Sequence, residues 1–282
     1  MELGVVFPQT EIGANPDVIR EYVDVAEARV EHLLAYDHVL GANPREGWSG
    51  AYDVGDTFHE PLTFFSYLAG ITEDLTLIPG ILILPQRRTA LVAKQAAEVD
   101  VLSGGRLRLG VGLGWNELEY EALGEDFGRR AERMEAQVPL LRRLWTEEAV
   151  EHEDEFHSIP DMGLNPRPVQ RPIPVLMGGT ADPVLRRAAR LADGWLPQGD
   201  PGGDLDDRLA RLREYLREEG RDLEEFEIVG RMNLGSPDAD DWAGRVEAWR
   251  EAGATRLAVD TMGLGLDPAE HAATVERFAD RL

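Results

Sequence analysis

The 282-residue chain has no cysteine and a single lysine, Lys94. The first absence excludes disulfides, thiolate metal sites and a cysteine nucleophile. The second argues against a Schiff-base barrel aldolase, which needs a lysine at a strand end or interior, because Lys94 falls inside the helical pattern TALVAKQAAEVDVL. No apolar run approaches the ~18 residues of a membrane span. The opening MELGVVFPQ has neither a basic start nor a small-residue cleavage site, so a soluble cytoplasmic protein is expected.

Positive charge is scarce as well. Against 29 Lys and Arg stand 53 Asp and Glu, a formal net charge of -24. Such an excess repels nucleic acid and anionic membranes, so neither is an expected partner. The acid is spread over nearly every predicted helix instead of forming one patch. This favours a halophilic surface, built for concentrated salt, over a cation-binding face. In molar salt the Debye length falls to about 3 Å and carboxylate repulsion is screened.

Several nucleotide and hydrolase signatures are missing too. There is no G-x-x-x-x-G-K-[ST] loop and no G-x-S-x-G elbow. LGVGLGW places Gly110, Gly112 and Gly114 before Trp115, where the dinucleotide fingerprint needs another glycine.

What is present is a regular alternation of short apolar runs and helical patterns. The runs LGVVFPQ (3–9), EHLLAYDHV (31–39), LTLIPGILILP (75–85), RLRLGVGLGW (106–115) and IPVLMGG (173–179) read as strands. GWLPQG (194–199), EIVGRMNL (227–234) and TRLAVDT (255–261) continue the series. Helices are predicted at 16–29, near Pro61, at 89–102, at 129–145, from a cap at Asp182 with Pro183 first, and at 203–219, 239–252 and 268–281. A Gly-rich loop with Trp48, Tyr52 and Phe58 follows the second strand, and 153–172 reads as irregular and Pro-rich. Eight strand–helix pairs without a composition break predict one α/β domain, a (β/α)8 TIM barrel. A doubly wound open sheet is the alternative.

In such a barrel the site lies at the C-terminal strand ends. These ends hold Phe7, Pro8 and Gln9; Asp37 and His38; Pro85 and Gln86; Gly112, Gly114, Trp115 and Asn116; Gly178 and Gly179; Pro197 and Gln198. His38 can hydrogen-bond a cofactor or exchange a proton near neutral pH. A structural histidine bonded to a loop carbonyl is the competing reading, and the strand-end position tilts the balance towards function. His59 beside Glu60, and His152 with His157, read as surface residues. No HExxH-type spacing supports a metal site from His38, Asp37 and His59, so no metal is expected. Gly178-Gly179-Thr180 ahead of a helix can present N–H groups and a positive dipole end to a phosphate, or simply make a tight turn.

These stretches resemble the luciferase-like monooxygenase family, and within it the enzymes that use the 8-hydroxy-5-deazaflavin coenzyme F420. LGVVFPQ, LLAYDHV, GILILPQRRTALVAKQAAEVDVLSGGRLRLGVGLGWN, NPRPVQRPIPVLMGG and LADGW carry the resemblance. It implies a hydride transfer between C5 of F420 and an organic substrate. By position it assigns Asp37 and His38 to the deazaflavin ring, with His38 catalytic, and Gly80 and Ile81 to a bulge with a non-prolyl cis peptide behind that ring. Asn116 matches a polar cofactor contact, and Gly178 with Gly179 match the phosphate site. The resemblance also implies a homodimer. Sugar-phosphate dehydrogenases of the family carry a glutamate where this chain has Trp115, which puts their proton-transfer chemistry in doubt here. The same fold with reduced FMN and dioxygen, a monooxygenase, is the first alternative. A barrel that binds a phosphorylated ligand without redox chemistry is the second. Residues 41–60, and the segment 153–172, are expected to cover the substrate.

Overall fold

A computed structural model describes residues 1–46, 50–235 and 241–282. Trp48, and the first two residues of the helix expected at 239–252, lie outside the described residues. The main sheet is formed by β1 (Glu2–Val6), β2 (His32–Ala35), β3 (Thr76–Pro79), β4 (Leu82–Ile83) and β5 (Leu109–Gly112). A separate hairpin, β6 (Val150–Glu153) with β7 (Ser158–Met162), comes next in the chain. The main sheet continues through β8 (Val175–Gly178), β9 (Gly194–Leu196), β10 (Glu227–Asn233) and β11 (Arg256–Asp260).

The strand order is β3-β2-β1-β11-β10-β9-β8-β5-β4, and every pairing in it is parallel. β3 and β4 are two halves of the expected third strand, broken at Gly80 and Ile81. One half pairs with β2 and the other with β5, and a bridge from Leu77 to Leu107 joins the two edges. The sheet thereby closes on itself, and its nine segments make the eight strands of a (β/α)8 barrel.

Alternation along the strands explains the two cores. Val5, Leu33, Leu77, Val111, Val175, Trp195, Ile228 and Leu257 face outward into the helical layer. Their neighbours Val6, Leu34, Ile78, Leu176, Leu196, Val229 and Ala258 fill the barrel interior. One step towards the N-terminal mouth, this inward series becomes charged. Arg256 pairs with Glu2 and with Glu227 (3.2 Å), and Arg108 with Glu227 (3.3 Å). His32 is fully buried beside them, in space that Gly4 provides: a Cβ on Gly4 would lie 2.3 Å from the imidazole.

The outer layer comprises α1 (Gln9–Ile12), α2 (Pro16–Glu27), α3 (Pro61–Ala69), α4 (Thr89–Leu102), α5 (Glu117–Leu123), α6 (Arg130–Thr146), α7 (Asp182–Leu191), α8 (Asp204–Glu218), α9 (Trp242–Glu251) and α10 (Pro268–Asp280). Local sequence sets their starts. The Asn15 side chain caps α2 ahead of Pro16, and Asp267 with Glu270 forms a capping box on α10. α7 begins one residue differently from expectation. Its cap is Ala181, and Asp182 lies in the first turn, where it accepts the Tyr215 hydroxyl at 2.5 Å. The segment expected to be irregular, 153–172, includes β7, which pairs with β6 just ahead of it in a hairpin. Among the described residues no helix is long and apolar enough to cross a membrane.

Candidate active site

Moving towards the C-terminal mouth, the inward positions reach Tyr36, Arg231 and Asp260, two residues beyond Leu34, Val229 and Ala258. Arg231 Nη1 donates to the Tyr36 hydroxyl at 2.7 Å, and that hydroxyl donates to Asp260 Oδ2 at 3.0 Å. Burial pushes the Asp260 carboxyl up, against the opposing pull of the Met262 amide and Arg231. The remaining Arg231 nitrogens have no hydrogen-bond partner among the described residues.

Beside this relay opens a cavity of about 280 Å3. Leu34, Ile81, Leu113, Leu196 and Val229 give it apolar walls, and Arg231 is the charged residue in its lining. Ile81 is the pivot. A Cβ on Gly112 would sit 2.7 Å from the Ile81 side chain, and one on Gly178 would sit 2.5 Å from it. Both glycines therefore make room for Ile81 at the break in the third strand. Gly80, Ile81, Gly178 and Gly179 all line this cavity, as do Pro197 and Gln198. A flat ring system with a polar edge fits such a lining.

His38 and Asn116 line a second, smaller cavity of about 70 Å3, together with Tyr52, Asp53, Asp56 and Phe58. Trp115 connects the two. It belongs to the lining of the larger cavity, and its ring lies 5.7 Å from the His38 imidazole in an edge-on arrangement. Phe58 and Tyr52 flank His38 at 4.9 and 5.3 Å. Asn116 is buried, and its Oδ1 has no hydrogen-bond partner among the described residues.

His38 is held by a residue that strand-end reasoning did not single out. Glu119, on α5 with a fully buried side chain, lies with Oε2 3.2 Å from His38 Nδ1. Its Oε1 accepts the Leu40 amide at 3.1 Å and the Val39 amide. Burial pushes the Glu119 carboxyl up, but the hydrogen bonds from His38 and the two amides outweigh it and hold it below the usual range. Glu119 is thus an anion, and the imidazole presents Nδ1–H to it and Nε2 away from it.

Asp37 lines neither cavity. Its Oδ1 accepts from Arg87 Nη2 at 2.8 Å, and its Oδ2 accepts the Ile83 amide at 2.8 Å. The carboxylate secures the broken third strand from behind. The peptide bond between Gly80 and Ile81 is not cis, in contrast to the expectation: the cis bonds of the described residues precede Pro166 and Pro172. The strand is broken there without it, through the Asp37–Ile83 contact and the Gly80 amide bond to Ala35 O at 2.8 Å.

Gly179 has φ +128°, a conformation that favours glycine, and its carbonyl accepts Trp195 Nε1 at 2.7 Å. His38, Asp37 and His59 do not converge. Their ring or carboxylate atoms go to Glu119, Arg87 and the Gly13 carbonyl respectively. Residues 52–58 reach the smaller cavity, whereas none of 153–172 lines either one.

Fold and cavity together describe a (β/α)8 barrel with a mostly apolar cavity at its C-terminal mouth. The chain belongs to the luciferase-like monooxygenase family, whose profile matches residues 1–278. An uncharacterized protein of Mycobacterium tuberculosis is 42% identical over 175 residues, 62% of this chain and 59% of its own length. The FMNH2-dependent dimethylsulfone monooxygenase of Pseudomonas putida is 34% identical over 149 residues, 51% of this chain and 41% of that enzyme. These matches span less than two thirds of either relative. Among solved structures, an F420-dependent secondary alcohol dehydrogenase in complex with an F420-acetone adduct superposes with a TM-score of 0.82. It covers 100% of this chain and 98% of that one, at 16% identity.

Proposed function

We propose that the chain transfers a hydride between coenzyme F420 and a small organic substrate. The observation that carries this reading is the ring-sized apolar cavity floored by Ile81, with the Glu119-held His38 beside it across Trp115. The fold shared with an F420-dependent alcohol dehydrogenase supports it.

Bound in this cavity, the deazaflavin supplies a hydride donor or acceptor at its C5. Ile81 and Leu34 back the ring, and Arg231 offers to the ring's polar edge or to the substrate those N–H donors that no described residue accepts. Gly179 and Thr180, ahead of α7, give N–H groups to the phosphate. His38 holds or takes a substrate proton at Nε2, because Glu119 fixes its other nitrogen as the protonated one. Trp115, Phe58 and Tyr52 exclude water around that imidazole.

The likeness to an FMNH2-dependent monooxygenase favours a second reading, in which reduced FMN and dioxygen use the same cavity. Titrating the purified protein with F420 and with FMN, followed by absorption, separates the two. Saturable binding of F420 with weaker binding of FMN is expected. Tight FMN binding without F420 binding would overturn the first reading in favour of the second.

A further inference from the structure

The β6–β7 hairpin carries a side-chain cluster that the barrel chemistry does not use. His152, Asp154 and His157 bring one ligand-capable atom each within 4.8 Å of one another. His152 Nε2 lies 2.8 Å from Asp154 Oδ2, and His157 Nδ1 lies 3.0 and 3.1 Å from the two carboxylate oxygens. The turn fixes this carboxylate, since Asp154 Oδ1 also accepts the Phe156 and His157 amides, both at 2.7 Å.

Behind the cluster the rings are already oriented. His157 Nε2 lies 2.7 Å from Thr89 Oγ1, which in turn accepts from Gln137 Nε2 at 3.1 Å. An imidazole whose far nitrogen meets a fixed oxygen is the usual outer support of a metal-ligating histidine. The opposite face is partly open, with His152 and Asp154 side chains 25% and 27% exposed, so water has room to complete a coordination shell.

We propose that His152, Asp154 and His157 form a binding site for one divalent transition-metal ion of the zinc class, independent of the cofactor cavity. Two imidazole nitrogens and a carboxylate match zinc, cobalt(II) or nickel(II). Magnesium and calcium, which take oxygen ligands, do not suit it. On binding, each neutral imidazole moves its proton to the far nitrogen, so the metal replaces two N–H···O contacts. His157 Nε2–H then donates to Thr89 Oγ1. His152 Nδ1–H displaces the 3.4 Å contact from Arg143, which retains its bonds to Glu147 at 2.7 and 3.0 Å.

The test uses the full chain, stripped with EDTA and dialysed. It is titrated with cobalt(II), followed by visible absorption, and with zinc, followed by calorimetry. One ion per chain is expected, with a dissociation constant of about a micromolar or tighter. His152→Ala, at the open side of the cluster, should weaken binding on the order of 100-fold while the circular dichroism spectrum is unchanged. His157→Ala should do the same; if it fails to fold, His152→Ala still decides. Absence of saturable binding to the wild-type chain overturns the proposal. So does an affinity that His152→Ala leaves unchanged.

Discussion

Glu119, on the helix after the fourth barrel strand, meets His38 Nδ1 at 3.2 Å and also anchors the two residues that follow His38 through their amides. Trp115, not a carboxylate, directly follows the fourth-strand glycines, yet Glu119 four residues later reaches the end of the second strand. It meets the back of the imidazole. The pairing resembles the orienting acid of a catalytic triad in logic: one charge fixes which ring nitrogen carries the proton.

His38→Ala is expected to fold, to bind cofactor only modestly more weakly, and to lose roughly two orders of magnitude in turnover. His38→Gln distinguishes positioning from proton transfer, since an amide keeps a hydrogen bond but cannot carry the proton. Restored activity in the Gln variant would assign positioning, and normal turnover in the Ala variant would remove His38 from the chemistry.

Glu119→Gln tests the partner. Its amide oxygen can still accept from Val39 and Leu40, but its NH2 forces His38 Nδ1 to accept, which moves the ring proton to Nε2. Turnover should fall about tenfold or more with an altered pH profile, while cofactor affinity changes little. A pH profile identical to wild type would show that Glu119 merely braces the loop.

Much of this was legible in the sequence. Strand–helix alternation predicted the barrel, the strand-end rule led to His38, Asn116 and Gly178, and the family resemblance pointed to Gly80 and Ile81. Other parts were not. A broken strand such as 76–83 reads as one apolar run, because the break at Gly80 and Ile81 interrupts pairing without interrupting hydrophobicity. Glu119 belongs to a helix, so no strand-end rule reaches it. Arg231 and Asp260 did carry a signal: each lies two residues beyond an apolar inward position, Val229 and Ala258, which places a charge inside the barrel mouth. The role of Asp37 needed the three-dimensional contact with Arg87, 50 residues away.

The fit of Ile81 between two glycines gives a packing test. Gly178→Ala puts a methyl 2.5 Å from Ile81 Cγ2, and overpacking of this kind costs about 1–3 kcal/mol. Stability by urea unfolding should fall accordingly, and Ile81→Ala in the same chain should recover part of it. Additive losses in the double variant would show that the two side chains do not share the space. Gly179→Asp adds bulk and negative charge where phosphate is proposed, so cofactor affinity should fall at least tenfold, about 1.4 kcal/mol.

Thermal melts in potassium chloride test the acidic surface. The net charge of -24 predicts that the melting temperature rises from low to molar salt as repulsion is screened. Part of the acid is already useful at low salt. Asp204, Asp206 and Asp207 occupy the first turn of α8, where they meet the positive end of the helix dipole. Equal or greater stability at low salt would remove the argument for a salt-adapted surface.

The N-terminal mouth predicts a loss of stability in mild acid. His32 is fully buried; among the described residues no well-formed hydrogen bond reaches either ring nitrogen, and the Leu3 backbone is the one neighbour that favours its charged form. Burial first, then the nearby Arg256, hold its pKa down from 6.5 to about 3. Above pH 6.5 the imidazole is neutral in both folded and unfolded chains and contributes no pH dependence. Below it the unfolded chain takes up a proton that the folded barrel refuses. Stability therefore falls with decreasing pH from about 6.5 towards about 3, by up to about 1.4 kcal/mol per unit. At pH 5 the expected loss is about 2 kcal/mol from this residue. His271, also pushed down by burial, adds a loss of the same sign. The control is His32→Leu, which removes the titrating group while keeping an apolar filling for the space beside Gly4. Urea unfolding of both proteins at pH 7 and pH 5, at one high salt concentration, should show a smaller drop in the variant by about 2 kcal/mol. Equal drops would mean that the folded barrel protonates His32, and that the charged ring formed by Glu2, Glu227, Arg108 and Arg256 accommodates an imidazolium.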